Sequence, residues 1–78
     1  MSHNSHQKYL IQLGLNIAYY RRLRGLTQQE LAMEISISRT HLSNLEAPGK
    51  VTSISLEKLF AISEVLRIPV SALFTFPE

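Results

Sequence analysis

"GLTQQELAMEISISRTHLSNLE", residues 25–46, is the stretch on which the fold turns. Thr27-Gln28-Gln29-Glu30 is a capping box: the Thr27 hydroxyl can accept from the backbone N–H of Glu30, whose carboxylate reaches back, while Leu26 and Leu31 form a hydrophobic staple. A helix therefore starts at Gln28, with Leu31, Ala32 and Ile35 on its inward face. Ser36-Ile37-Ser38 interrupts it after about two turns. Ser38 then caps another helix, and Ile37 with Leu42 repeats the staple spacing. The pattern is two short helices joined by a brief turn.

Upstream of this pair, Leu10, Leu13, Ile17 and Tyr20 recur at helical spacing and predict a helix from about Tyr9 to Arg24, closed by Gly25 at its C′ position. Downstream, Pro48-Gly49 ends the helix and the chain loops through Lys50-Val51-Thr52-Ser53. Ser55, stapled by Ile54 and Leu59, opens a further helix. Its Leu56, Leu59, Phe60, Ile62, Val65 and Leu66 cover more than half its circumference, which predicts a central, mostly buried element. Pro69 stops it, and Val70 to Phe74 reads as a last helical turn before a Thr75-Phe76-Pro77 tail. No segment alternates with period two, so the fold class is all-α: a compact five-helix domain over residues 9–78, preceded by a flexible segment, residues 1–8.

A chain of 78 residues has room for one core. A domain of this size buries only about 60% of the surface its unfolded form exposes, so association into dimers is a common remedy. The absence of cysteine rules out a disulfide framework and a thiolate metal site, and suits a reducing compartment. The start, MSHNSHQKYL, has no export signal pattern, and no apolar run approaches the ~18 residues of a membrane span; a soluble, cytoplasmic protein is expected. Catalysis finds no foothold: there is no Asp, no glycine-rich phosphate loop, and no nucleophile, base and orienter in one plausible pocket. We therefore expect no enzyme, no cofactor and no small-molecule ligand. His3 and His6 have metal-like spacing but fall in the polar N-terminal segment, and no metal site is expected from them. The net charge of +2 is unevenly spread, with the excess of Lys and Arg lying up to Lys50, which makes that part the anion-facing one.

At about 100° per residue, the helix opened by Ser38 buries Leu42 and Leu45 and turns Thr40, Ser43, Asn44 and Ala47 outward, with Arg39 and His41 on the flanks. Thr, Ser, Asn and Arg can exchange hydrogen bonds with base edges, and small residues let a helix lie close in a groove. A face meant for solvent alone would more usually carry Glu and Lys in i, i+4 pairs, which are missing here. Helix starts at Gln28 and Ser38 present N–H groups suited to phosphate.

Together with "SLEKLFAISEVLRIPVSALF", residues 55–74, the opening stretch resembles the lambda-repressor-like, Cro/C1-type (XRE) family of helix-turn-helix transcriptional regulators, over about residues 13–74. The resemblance implies a sequence-specific regulator of repressor or phage/controller type that binds double-stranded DNA, as a homodimer on a pseudo-palindromic operator. It implies base-reading roles for Arg39, Thr40, Ser43 and Asn44, phosphate contacts from Gln28 and Ser38, and a structural ion pair between Arg21 and Glu46. The helical projection agrees on the last point, since it sets Glu46 beside the buried stripe. The sequence departs from the family pattern at Ser36, where a turn glycine is usual, and at Ala18, where a second basic residue is common. The loop from Ala47 to Ile54 is longer than usual, and offers Lys50 and Thr52 as further phosphate contacts.

Other readings stand beside these. The same scaffold serves protein-interaction modules such as antitoxin-like subunits. Arg22 and Arg24 suit either a DNA-backbone stripe or a solvated face, the latter being favoured for Arg24. His41 suits a DNA contact or packing at the helix edge. Tyr20 belongs to the core stripe and leaves Tyr19 partly exposed. Leu73, Phe74 and Phe76 form either a dimer seam or a tail folded back onto the preceding helix.

Overall fold

The computed structural model describes residues 6–76; the first five and last two residues, which include His3 and Pro77, lie outside the described part. Four α-helices follow in order: α1, Gln7–Leu23; α2, Gln28–Glu34; α3, Arg39–Glu46; and α4, Leu56–Leu66. α1 begins at Gln7, two residues before the position set by its apolar periodicity, with His6 at its N-cap. The fifth expected helix is not an α-helix. Val70–Phe74 is a 3-10 turn in which Ala72 N–H donates to Pro69 O at 2.9 Å; Pro69 fixes the entry, and the segment is too short to propagate i→i−4 bonding.

Each short helix starts where its cap predicts. Thr27 Oγ1 accepts from Glu30 N–H at 3.1 Å and Glu30 Oε1 from Thr27 N–H at 2.8 Å, completing the capping box. Ser38 and Ser55 cap α3 and α4, accepting from His41 N–H and Lys58 N–H. Three helix ends share a paired closure: Leu26 N–H reaches Arg21 O past Gly25, Ile37 N–H reaches Ala32 O past Ser36, and Ile68 N–H reaches Ser63 O past Arg67. This closure needs a left-handed residue, and Gly25, Ser36 and Arg67 have φ of 73°, 60° and 59°. Ser36 thus takes the conformation that the usual turn glycine would hold, at a steric cost glycine avoids.

Leu13 and Ile17 of α1, Leu31 and Ile35 at α2, Leu42 and Leu45 of α3, Leu59, Ile62 and Leu66 of α4, and Leu73 of the closing turn form one buried core. α4 is less buried than its apolar circumference suggests. Leu56 and Phe60, one turn apart on its outer flank, are 67% and 52% exposed, because α1, α2 and the closing turn cover only the opposite side. Asn16 of α1 ties down the C-terminal segment, its Nδ2 donating to Leu73 O at 2.9 Å and Thr75 O at 3.0 Å.

Candidate nucleic-acid interface

α2 and α3 pack together around the Ser36 turn, and α3 is fixed in place by contacts along its buried side and at its C-terminal end. At its C-terminal end the buried Glu46 carboxylate is gripped by Arg21, Nε to Oε2 and Nη2 to Oε1, both at 2.8 Å. The third Arg21 nitrogen, Nη1, donates to Leu26 O at 2.7 Å. Gln28 Nε2 adds a fourth contact, donating to Glu46 Oε1 at 2.9 Å, so that α1, the start of α2 and the end of α3 meet at one carboxylate. Paired and fully hydrogen-bonded, these buried charges hold an orientation; one left alone would be a liability.

Gly14 has no counterpart in the sequence reading. It is buried in α1 where α3 crosses, and a Cβ built there would lie 1.7 Å from Leu45 O. Only a hydrogen atom fits between the two backbones. Lys58 at the start of α4 holds the joint between α2 and α3: its Nζ donates to Ile35 O at 2.7 Å, binding the C-terminal carbonyl of α2 just before the strained Ser36.

With its inner side held, α3 presents an open outer side. Arg39 and Thr40 are exposed, and Ser43 and Asn44 are half-buried along the same face. Among the described residues, the α3 side chains engaged in hydrogen bonds within the chain are those of His41 and Glu46, which leaves the functional groups of Arg39, Thr40, Ser43 and Asn44 free to meet a ligand. Ser38 sits at the tip of the helix, its oxygen accepting from His41 N–H at 2.9 Å and its own hydroxyl hydrogen still to be given.

The remaining expected contacts are distributed unevenly. Gln28 commits one amide N–H to Glu46 and keeps the second. Lys50 is exposed and Thr52 half-buried on the loop between α3 and α4, where Lys50 N–H turns back to Ala47 O at 3.3 Å. Arg24 is not a purely solvated side chain: Nε and Nη2 donate to Leu66 O and Arg67 O at 2.6 and 3.1 Å, closing the end of α4. His41 is half-buried at the helix edge, with Nε2 3.1 Å from Ser53 O. Leu73 has no surface to offer a dimer seam, because it is fully buried in the core. Phe74 is 44% exposed, and half-buried Phe76 lies between it and Tyr9, with ring centroids 6.3 and 5.7 Å apart. None of the described helices is long and apolar enough to cross a membrane.

Most of these tethers were invisible in the sequence because they join residues far apart in the chain. Lys58 and Ile35, or Gly14 and Leu45, carry no local pattern that announces the other. A glycine inside an otherwise regular helical stretch was the one available signal for the second pair.

Comparison with known proteins agrees with this geometry. A Cro/C1-type helix-turn-helix family profile matches residues 17–73. No match was found among curated proteins. Among solved structures, the restriction-modification controller protein C.AhdI from Aeromonas hydrophila is similar with a TM-score of 0.73 and 25% identity, over 83% of this chain and 96% of that one. A hypothetical transcription factor, NHTF, from Neisseria is similar with a TM-score of 0.79 and 26% identity, over 92% of this chain and 79% of that one.

Proposed function

The chain belongs to the Cro/C1-type helix-turn-helix family and is a DNA-binding transcriptional regulator; from that premise we propose that it acts in the cytoplasm by reading one operator sequence through α3, and that its role is binding rather than catalysis. α3 enters the major groove by its N-terminal residues, and α2 crosses the backbone beside it. Arg39, Thr40, Ser43 and Asn44 discriminate bases, with a guanine as the natural partner of the Arg39 fork, worth about 1–3 kcal/mol of discrimination. The second amide N–H of Gln28, the Ser38 hydroxyl, Lys50 and Thr52 contact phosphates and set the register.

The observation that carries this reading is the division of labour on α3. Its inward polar group, Glu46, is fully engaged in fixing the helix, whereas the four polar side chains of its outer face have no partner among the described residues. A helix held this firmly with such a face uncommitted is suited to rigid docking, which spares the ordering cost that binding otherwise incurs.

We further propose a homodimer on a pseudo-palindromic operator, of repressor or controller type. Its support is the small size of the domain together with the exposure of Leu56, Phe60 and Phe74, large apolar side chains that a second protomer would cover. Binding-site selection from random duplex DNA, paired with sedimentation of the protein alone and on the selected site, tests both points. The expected result is an enriched inverted repeat bound by two protomers. Enrichment of nothing would refute the reading of α3 as a sequence reader, and one protomer per site would refute the dimer.

A further inference from the structure

The loop from Ala47 to Ile54 carries Lys50, the only lysine or arginine between Arg39 and Lys58. Its backbone is held lightly. Pro48 and Gly49 turn it, Lys50 N–H bonds Ala47 O at 3.3 Å, and Ile54 packs against the core at the far end. Between those points, among the described residues, one hydrogen bond ties the loop to the rest of the chain: His41 Nε2 to Ser53 O, 3.1 Å. His41 belongs to α3 itself. Helical geometry sets it on the flank between the buried Leu45 and the outward Asn44, so the tie runs from the edge of the reading face directly to the loop.

We propose that His41 is a positioning residue for DNA binding: it holds the Ala47–Ile54 loop against α3 so that Lys50 meets a phosphate while the outer face of α3 meets the bases. This rests on the reading of α3 given above. A carbonyl oxygen only accepts, so Nε2 must carry the hydrogen, and it does so both in one neutral tautomer and in the imidazolium. The tie is therefore compatible with either charge state. Without it, the loop hangs between Ala47 and Ile54, Lys50 is no longer held within reach of the phosphate, and its contact is lost from the complex.

Operator affinity measured against salt concentration separates this role from a merely structural one. Each phosphate contact adds about 0.9 to the slope of log affinity against log salt. Lys50→Ala should lower the slope by about that amount. His41→Ala should lower it similarly, and the double variant should lower it no further. His41→Leu, which retains apolar packing but cannot donate, should match His41→Ala, while His41→Gln, whose amide can donate to Ser53 O, should restore the wild-type slope. An unchanged slope in both His41→Ala and His41→Leu, or additive losses in the double variant, would overturn the proposal and leave the reading of α3 standing. Absence of salt-dependent binding by the wild-type protein would instead overturn that reading, and this inference with it.

Discussion

Replacing Gly14 with alanine adds one methyl group at the crossing of α1 and α3, where the new carbon would lie 1.7 Å from Leu45 O and 2.8 Å from Leu45 C. A relaxed carbon–oxygen contact is about 3.3 Å, so the backbones must part by roughly 1.6 Å. The obstacle is main chain, which cannot step aside as the tip of a long side chain can. Three terms set the outcome. Alanine gains about 1 kcal/mol over glycine from helix propensity. Overpacking costs about 1–3 kcal/mol. Moving Leu45 also moves Glu46 from Arg21, and a fully broken buried pair costs about 3–5 kcal/mol. With the pair partly lost, the net is a destabilisation of about 2–4 kcal/mol, against a total stability of roughly 5 kcal/mol at the low end for such domains. At ~4–8 °C per kcal/mol, the melting temperature should fall by about 10–30 °C. Thermal and urea unfolding followed by far-UV circular dichroism measure this directly. A variant as stable as wild type, or more stable by the propensity gain, would refute the close crossing and with it the claim that α1 sets the position of α3.

Three other substitutions probe the supports around α3 and the C-terminal segment. Ser36→Gly removes the strain of a serine at φ 60°, about 1–2 kcal/mol, against the ~0.5–1 kcal/mol entropic cost of glycine, so urea unfolding should show a net gain of up to about 1.5 kcal/mol; a loss would mean that the serine is unstrained. Lys58→Met keeps most of the side-chain length but removes the donor to Ile35 O, and should cost about 1–2 kcal/mol while speeding amide exchange at Ser36 and Ile37; unchanged exchange would deny Lys58 its part in holding the turn. Asn16→Ala frees Leu73 O and Thr75 O, and should cost about 1–2 kcal/mol and increase proteolysis near Thr75; unaltered cleavage would show that Phe76 packing alone holds the tail.

The features readable from the sequence are those whose cause is local. The Thr27–Glu30 box, the Ser38 and Ser55 caps and the Gly25 stop each depend on residues within a few positions, and all form where the sequence puts them. The outward face of α3 follows from helical period, and the Arg21–Glu46 pair from family resemblance together with a projection that leaves Glu46 facing inward. Long-range choices escaped. Six apolar positions on α4 look equally buried to a periodicity argument, but coverage from one side decides that Leu59 is buried and Phe60 exposed. Ser36 stood out as a departure; what makes it tolerable, paired closure bonds and a lysine from α4, depends on tertiary structure. The Gln28 amide shows the same limit. Resemblance implied a phosphate contact, and the fold gives its first hydrogen bond to Glu46.

The central claim is that the free outer face of α3 distinguishes one DNA sequence from another. Its most direct test compares wild type with Arg39→Ala on the selected operator and on random duplex DNA, at one fixed salt concentration. Arg39 read as a base contact predicts a loss of about 1–3 kcal/mol on the operator, roughly five- to 150-fold, and a much smaller loss on random DNA. An equal loss on both would make Arg39 a phosphate contact and contradict its assignment to the reading face.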